Sequence, residues 1–127
     1  MTVTVLVVDD SKLARIVAGK VIAALQPDWQ RIEASSAVQA HELMATEAID
    51  LAVLDFNMPD KDGLELAAEL RASHPNMPIA IITANIQDEI IARARDLNAT
   101  FVGKPVTEEA LKAFLSGAAL RLKKAGV

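Results

Sequence analysis

Cysteine is absent from the 127 residues, which removes disulfide frameworks and thiolate chemistry and leaves the redox compartment open. Aromatic residues make up only 3%, too few for stacked-base recognition of single strands. There is no excess of basic charge: 13 Lys and Arg stand against 17 Asp and Glu, for a net charge of -4. A mildly acidic chain without a basic cluster argues against nucleic acid and anionic membranes as partners. No apolar stretch approaches the length of a transmembrane helix. Met1-Thr2 leads straight into a strand followed by Asp9 and Asp10, without the basic start and long apolar segment of a secretory signal. The expected location is the cytoplasm.

What the chain does have is aliphatic residues. Apolar residues reach 52%, and 127 residues suffice for one domain, 1–127, around one well-filled core. Four short apolar runs read as strands: Val3 to Val8, Leu51 to Leu54, Ile79 to Ile82 and Thr100 to Gly103. Their near-continuous hydrophobicity suits parallel strands covered on both faces. Arg31 to Ala34 alternates instead, which places it at a half-exposed sheet edge.

Segments with helical spacing lie between the runs. Ala14, Val17, Ala18, Val21, Ile22 and Leu25 share one face of a first helix. Ser36 with Gln39 has the form of a capping box for a second, which buries Ala40, Leu43 and Met44. A third follows Asp62-Gly63 and carries Leu66, Ala67 and Leu70 until His74-Pro75 stops it; a fourth spans Gln87 to Leu97 with Ile90, Ile91 and Ala94 inward. The fifth starts at Thr107 as N-cap, with Glu108 and Glu109 suiting the helix dipole and Lys123 and Lys124 suiting its end. Leu111, Phe114, Leu115, Ala118 and Leu122 form its apolar face. Strand and helix repeated five times, without linker or repeat, predict a single doubly wound α/β domain.

Each of the four apolar runs leads into a polar or charged residue. Asp9 and Asp10 follow the first run, Asp55 the third strand, Thr83 the fourth and Lys104 the fifth. In open parallel sheets ligands bind outside the carboxyl ends of the strands, so these residues should converge. Taken singly, each is an ordinary cap or turn residue; five caps need not share one edge. Three crowded carboxylates repel one another unless a cation intervenes, and a hard divalent ion with oxygen ligands and retained waters fits such a site. His41 and His74 are isolated and read as solvated, so no zinc site is indicated. Trp29 reads as partial cover for the core.

The residues Asp9-Asp10, then Asp55-Phe56-Asn57-Met58-Pro59-Asp60-Lys61-Asp62-Gly63, then Thr83-Ala84, then Lys104-Pro105, resemble the receiver domain of two-component response regulators, the CheY-like fold. The resemblance covers the whole chain. It implies a five-stranded parallel sheet of order 2-1-3-4-5, with Asp55 as phosphoacceptor. It further implies Mg²⁺, or Mn²⁺, bound by Asp10, Asp55 and the backbone carbonyl of Asn57, with Asp9 acting through water. Lys104, Thr83 and Ala84 would meet the phosphoryl oxygens, and Thr83 with Phe101 would form the switch. Met58 and Pro59 belong to the loop after the acceptor, Pro105 implies a cis bond after Lys104, and Gly63 is read as a turn residue needing positive φ. Asn57 and Asn85, two residues beyond Asp55 and Thr83, would tune dephosphorylation.

The implied partners are a sensor histidine kinase or histidine phosphotransfer protein and an output protein or domain. The implied output surface is the face of the fourth helix, fifth strand and fifth helix, which includes Arg93, Arg95 and Asp96 and would also support a monomer or weak dimer. The chain is expected to be a stand-alone receiver or part of a longer regulator, and to turn over no external substrate. Two alternatives stay open. A phosphohydrolase of the haloacid dehalogenase type shares the aspartate nucleophile, Mg²⁺, Thr or Ser and Lys, but has its nucleophile after the first strand and a second aspartate two residues on, where position 57 here is asparagine. A pseudo-receiver would bind partners without phosphorylation.

Overall fold

All four continuous apolar runs form strands, and the alternating segment forms the fifth. The computed structural model describes residues 2–84 and 87–124; Asn85 lies outside them. In chain order the elements are β1 (Thr4–Val8), α1 (Lys12–Leu25), β2 (Gln30–Ala34), α2 (Ala37–Thr46), β3 (Leu51–Asp55), α3 (Gly63–Ser73), β4 (Ile79–Thr83), α4 (Asp88–Asp96), β5 (Thr100–Gly103) and α5 (Glu108–Lys124). The sheet is parallel throughout, with order β2-β1-β3-β4-β5. β2 is an edge strand, and only Ala34 in it is fully buried.

The central strands β1, β3 and β4 are buried at every position because each face has its own helices. Leu6, Val8, Ala52, Leu54, Ile79 and Ile81 face α2, α3 and α4 through Ala40, Leu66, Leu70, Ile90 and Ala94. Val5, Val7, Leu51, Val53, Ala80 and Ile82 face α1 and α5 through Ala18, Ile22, Leu111, Phe114 and Leu115. Adjacent strand residues therefore serve opposite layers. Trp29 is partly buried against the second layer.

Local expectations hold at several caps and change at others. Thr107 Oγ1 accepts from Ala110 N at 3.1 Å, and Ser36 Oγ accepts from Gln39 N at 3.1 Å. The return bond of a capping box is displaced, however: Gln39 Oε1 accepts from Ser35 N at 2.7 Å. The buried stripe of α1 is narrower than its periodicity predicts. Ala18 and Ile22 are its buried residues, while Val17 is 41% exposed beside Leu13 at 72%. His41 is exposed but hydrogen-bonds Glu69 at 2.6 Å.

Gly63 requires a different physical account from the positive φ that the sequence suggests. It is the first residue of α3, and a Cβ there would stand 2.4 Å from the Asp55 carbonyl oxygen and 3.0 Å from Phe56 Cα. Close approach of α3 to the end of β3 excludes a side chain. Its N–H donates to Phe56 O at 2.8 Å, which closes the loop after β3.

Candidate functional site

The switch point of the sheet lies between β1 and β3, and the carboxylates gather there. Ligand oxygens of Asp9, Asp10 and Asp55 all lie within 4.8 Å of one another. Asp55 is the last residue of β3 and is 4% exposed; Asp10 is exposed. Lys104 reaches in from the end of β5, with Nζ 2.8 Å from Asp55 Oδ1. The Lys104 N–H donates to Thr83 O at 3.0 Å, which ties the end of β5 to that of β4. Thr83 is fully buried, Ala84 after it is exposed, and the Lys104-Pro105 peptide bond is cis. Phe101 is half-buried against the α2, α3 and α4 layer.

Charge is out of balance here: three carboxylates face one ammonium. Burial pushes the Asp55 carboxyl above the usual aspartate range; Lys104 pulls it down, and Asp10 adds to the rise. Asp9 is likewise raised, first by burial and then by Asp55 and Asp10, against the lowering effect of the Ser11 N–H. Lys104 is held above the ordinary lysine value, mainly by its contact with Asp55. That contact is an ion pair by distance without hydrogen-bond alignment, since Asp55 Oδ1 is buried with no hydrogen-bond partner among the described residues. A buried carboxylate oxygen without an aligned donor, among further carboxylates, fits a divalent cation with oxygen ligands.

The surrounding backbone is braced on both sides. On the β1 side, Asp9 N–H donates to Ala34 O at 3.1 Å and Asp9 Oδ1 accepts from Ser11 N at 2.9 Å. Arg15 Nη1 donates to Asp9 O at 2.7 Å while its Nε pairs with Glu33 at 2.9 Å. On the β3 side, Asn57 and Pro59 are exposed and Met58 is half-buried. Asp62 caps α3 through Glu65 N at 2.8 Å, and Lys61 pairs with Glu69. Asp60 accepts from Ala37 N and Val38 N of α2; burial raises its carboxyl, but these donors together with the backbone N–H groups of Asp60 and Lys61 outweigh it and the net shift is downward.

A cleft of about 280 Å³ opens beside the carboxylates. Asp9, Asp55 and Lys104 form its polar end, and Leu13, Val17, Pro105 and Val106 belong to its apolar wall. The structure thus brings together Asp9, Asp10, Asp55 and Lys104, with Thr83 at the same sheet edge. Sequence reasoning passed over Arg15 and Asp60 as site residues and gave Leu13 no role. Asp60 stands within the recognised loop, but neither its partner on α2 nor that of Arg15 on β2 leaves a local signal.

Comparison with known proteins agrees with this geometry. A family model described as response regulator receiver domain matches residues 5–116. The chain is 34% identical over 127 residues to the response regulator MprA of Mycobacterium ulcerans, covering 97% of this chain and 53% of that protein. It is 36% identical over 92 residues to the transcriptional regulatory protein KdpE of Staphylococcus aureus, covering 71% and 39%. The chain thus spans about half or less of these relatives. Among solved structures, the signal receiver domain of an HD domain-containing protein from Pseudomonas fluorescens Pf-5 superposes with a TM-score of 0.88 at 21% identity, covering 98% of this chain and 99% of that one. The chemotaxis protein CheY4 of Vibrio cholerae gives 0.83 at 23% identity, covering 93% and 99%. At these identities the structures speak for the fold alone.

Proposed function

The chain belongs to the response regulator receiver domain family, and from that premise we propose a phosphorylation-controlled signalling unit, residues 1–127, whose acceptor is Asp55. The observation that carries the reading is Asp55 itself: buried, at the end of β3, held by Lys104 and crowded by two other carboxylates. An Asp55 carboxylate oxygen attacks phosphorus, the donor's bond to phosphorus breaks, and the donor keeps that electron pair. Lys104 passes from the carboxylate to a phosphoryl oxygen, and the Thr83 hydroxyl and Ala84 N–H serve the remaining oxygens. The protein thus contributes position and charge stabilisation. Asp10, Asp55 and the Asn57 carbonyl, with Asp9 through water, would hold Mg²⁺ or Mn²⁺, which supplies positive charge against the acceptor and phosphoryl oxygens.

Water attacking in line resets the site, so the chain catalyses only its own phosphorylation and dephosphorylation. Exchange of Asn57 and Asn85, two residues beyond Asp55 and Thr83 in the sequence, is expected to alter dephosphorylation more than acceptance. Thr83 and Phe101 carry the change of charge at Asp55 to the α4, β5 and α5 face, where an output partner or a weak dimer forms. The chain acts in the cytoplasm, and its donor is a sensor histidine kinase or histidine phosphotransfer protein. Leu13 and Val17, exposed beside the acceptor cleft with Pro105 and Val106, suit aliphatic side chains of such a protein donor.

Intact-mass measurement after incubation with acetyl phosphate and Mg²⁺ tests the acceptor. The expected result is one added phosphoryl group in the wild type and none in Asp55→Asn. No added mass in the wild type, or equal addition in the variant, overturns the reading.

A further inference from the structure

The loop that follows Asp55 is fastened through Asp60 to a helix that begins 23 residues before Asp60. Asp60 Oδ1 accepts from Ala37 N at 3.2 Å and Oδ2 from Val38 N at 3.1 Å, so both oxygens serve the first turn of α2. Ser36 Oγ takes only the Gln39 N–H, and without Asp60 two donors at this helix end lose their partner. The neighbouring residue strengthens the tie: Lys61 pairs with Glu69 on α3, and Glu69 also bonds His41 on α2.

The path through these bonds is closed around the carboxylates. Asp9 N–H is held by Ala34 O at the end of β2, Ser35 and Ser36 lead into α2, α2 holds Asp60, and residues 57–59 lead back to Asp55. Asp9 and Asp10 follow β1 on one side of this ring, and on the other Asn57, whose carbonyl is the proposed ligand, lies in the loop between Asp55 and Asp60. We infer that Asp60 is a positioning residue: its clasp on α2 sets the distance between the two halves of the cation site, and cation binding in turn firms the start of α2. The inference rests on the reading of the carboxylates as a cation site, and it adds to that reading a residue that touches neither cation nor phosphoryl group.

The test is Mg²⁺ titration calorimetry on the full chain, with amide hydrogen exchange at Ala37 and Val38. Asp60→Ala should bind Mg²⁺ about tenfold more weakly than wild type, the size of effect that loss of an orienting outer partner has on metal sites. The deficit should persist at high salt, where effects of charge beyond a few ångströms are screened. Mg²⁺ should slow exchange at Ala37 and Val38 in wild type and leave it unchanged in the variant. Ser36→Ala, which weakens the same helix end without touching the loop, should bind within about twofold of wild type, since only its cap bond is lost. Should Asp60→Ala fail to fold, Asp60→Asn, which keeps one acceptor oxygen, takes its place with an intermediate loss. Equal affinity in wild type and Asp60 variants, or a deficit that salt removes, overturns the clasp alone. A wild type that binds no Mg²⁺ overturns the cation reading and the clasp with it.

Discussion

The two ends of the sheet treat their polar groups in opposite ways. At the amino ends of the strands two charges, Arg71 and Asp50, are put to structural use. Arg71 donates to the carbonyls of Leu97, His74, Pro75, Met77 and Asn98, so one guanidinium joins the end of α3 to the approaches of β4 and β5. Asp50 Oδ2 accepts from Thr4 N at 2.8 Å, and the Asp50 N–H donates to Thr4 O at 2.9 Å. At the carboxyl ends, among the described residues, three carboxylates share one lysine and a buried oxygen lacks an aligned donor. The first end is finished by folding; the second keeps a carboxylate cluster that could hold a metal ion. A binding site of this kind holds charge that the fold itself does not satisfy, and stability has to come from elsewhere in the molecule.

Four substitutions and one titration would break or sharpen this contrast. The largest effect belongs to the finished end: Arg71→Ala should lower stability by about 3 kcal/mol, because several carbonyls lose a charged donor together. Urea unfolding measures it, and a loss of a few tenths would erase the contrast. Gly63→Ala should cost about 2 kcal/mol, since the added Cβ would have to displace the Asp55 carbonyl at 2.4 Å. Asp9→Asn should act with the opposite sign, stabilising the Mg²⁺-free protein by about 1 kcal/mol through removal of a buried charge beside two like charges.

The pH dependence follows the same sign. Asp9 and Asp55 have folded-state values above the ordinary 3.8, so between the two values the folded protein binds more protons than the unfolded chain. Stability of the Mg²⁺-free protein should therefore fall as pH rises through that window and stay lower above it, and Asp9→Asn should flatten the curve. A curve that rises through the window instead would contradict the electrostatic account. The smallest effect concerns transfer: Leu13→Ser should slow phosphorylation by a protein donor several-fold and leave acetyl phosphate unaffected, as expected for a residue that contacts only the donor's surface.

The ligand-dependent end was far more legible in the sequence than the finished one. Asp9, Asp55, Thr83 and Lys104 follow apolar runs, and a parallel sheet brings strand ends together whatever the details of packing. The strand order itself came from family resemblance, because nothing in the runs says which neighbours pair. Arg71 gave no signal, since its five acceptors are backbone carbonyls that carry no residue identity. Asp60 was similarly silent: its partners are two amides on a helix positioned by the whole α2 layer. Gly63 was noticed but misread, because a glycine shows that a side chain is excluded without saying whether φ or a neighbouring chain excludes it. The periodicity of α1 assigned Val17 to the core, whereas the helix buries a narrower line and leaves Leu13 and Val17 beside the cleft.

The most direct measurement of the central claim is equilibrium unfolding of wild type and Asp55→Asn, each with and without Mg²⁺. An unfinished carboxylate edge predicts that Mg²⁺ stabilises the wild type by about 2.7 kcal/mol at a hundredfold excess over Kd, and that the gain largely disappears in the variant. Equal unfolding midpoints with and without Mg²⁺ in the wild type, or the same gain in Asp55→Asn, would contradict it.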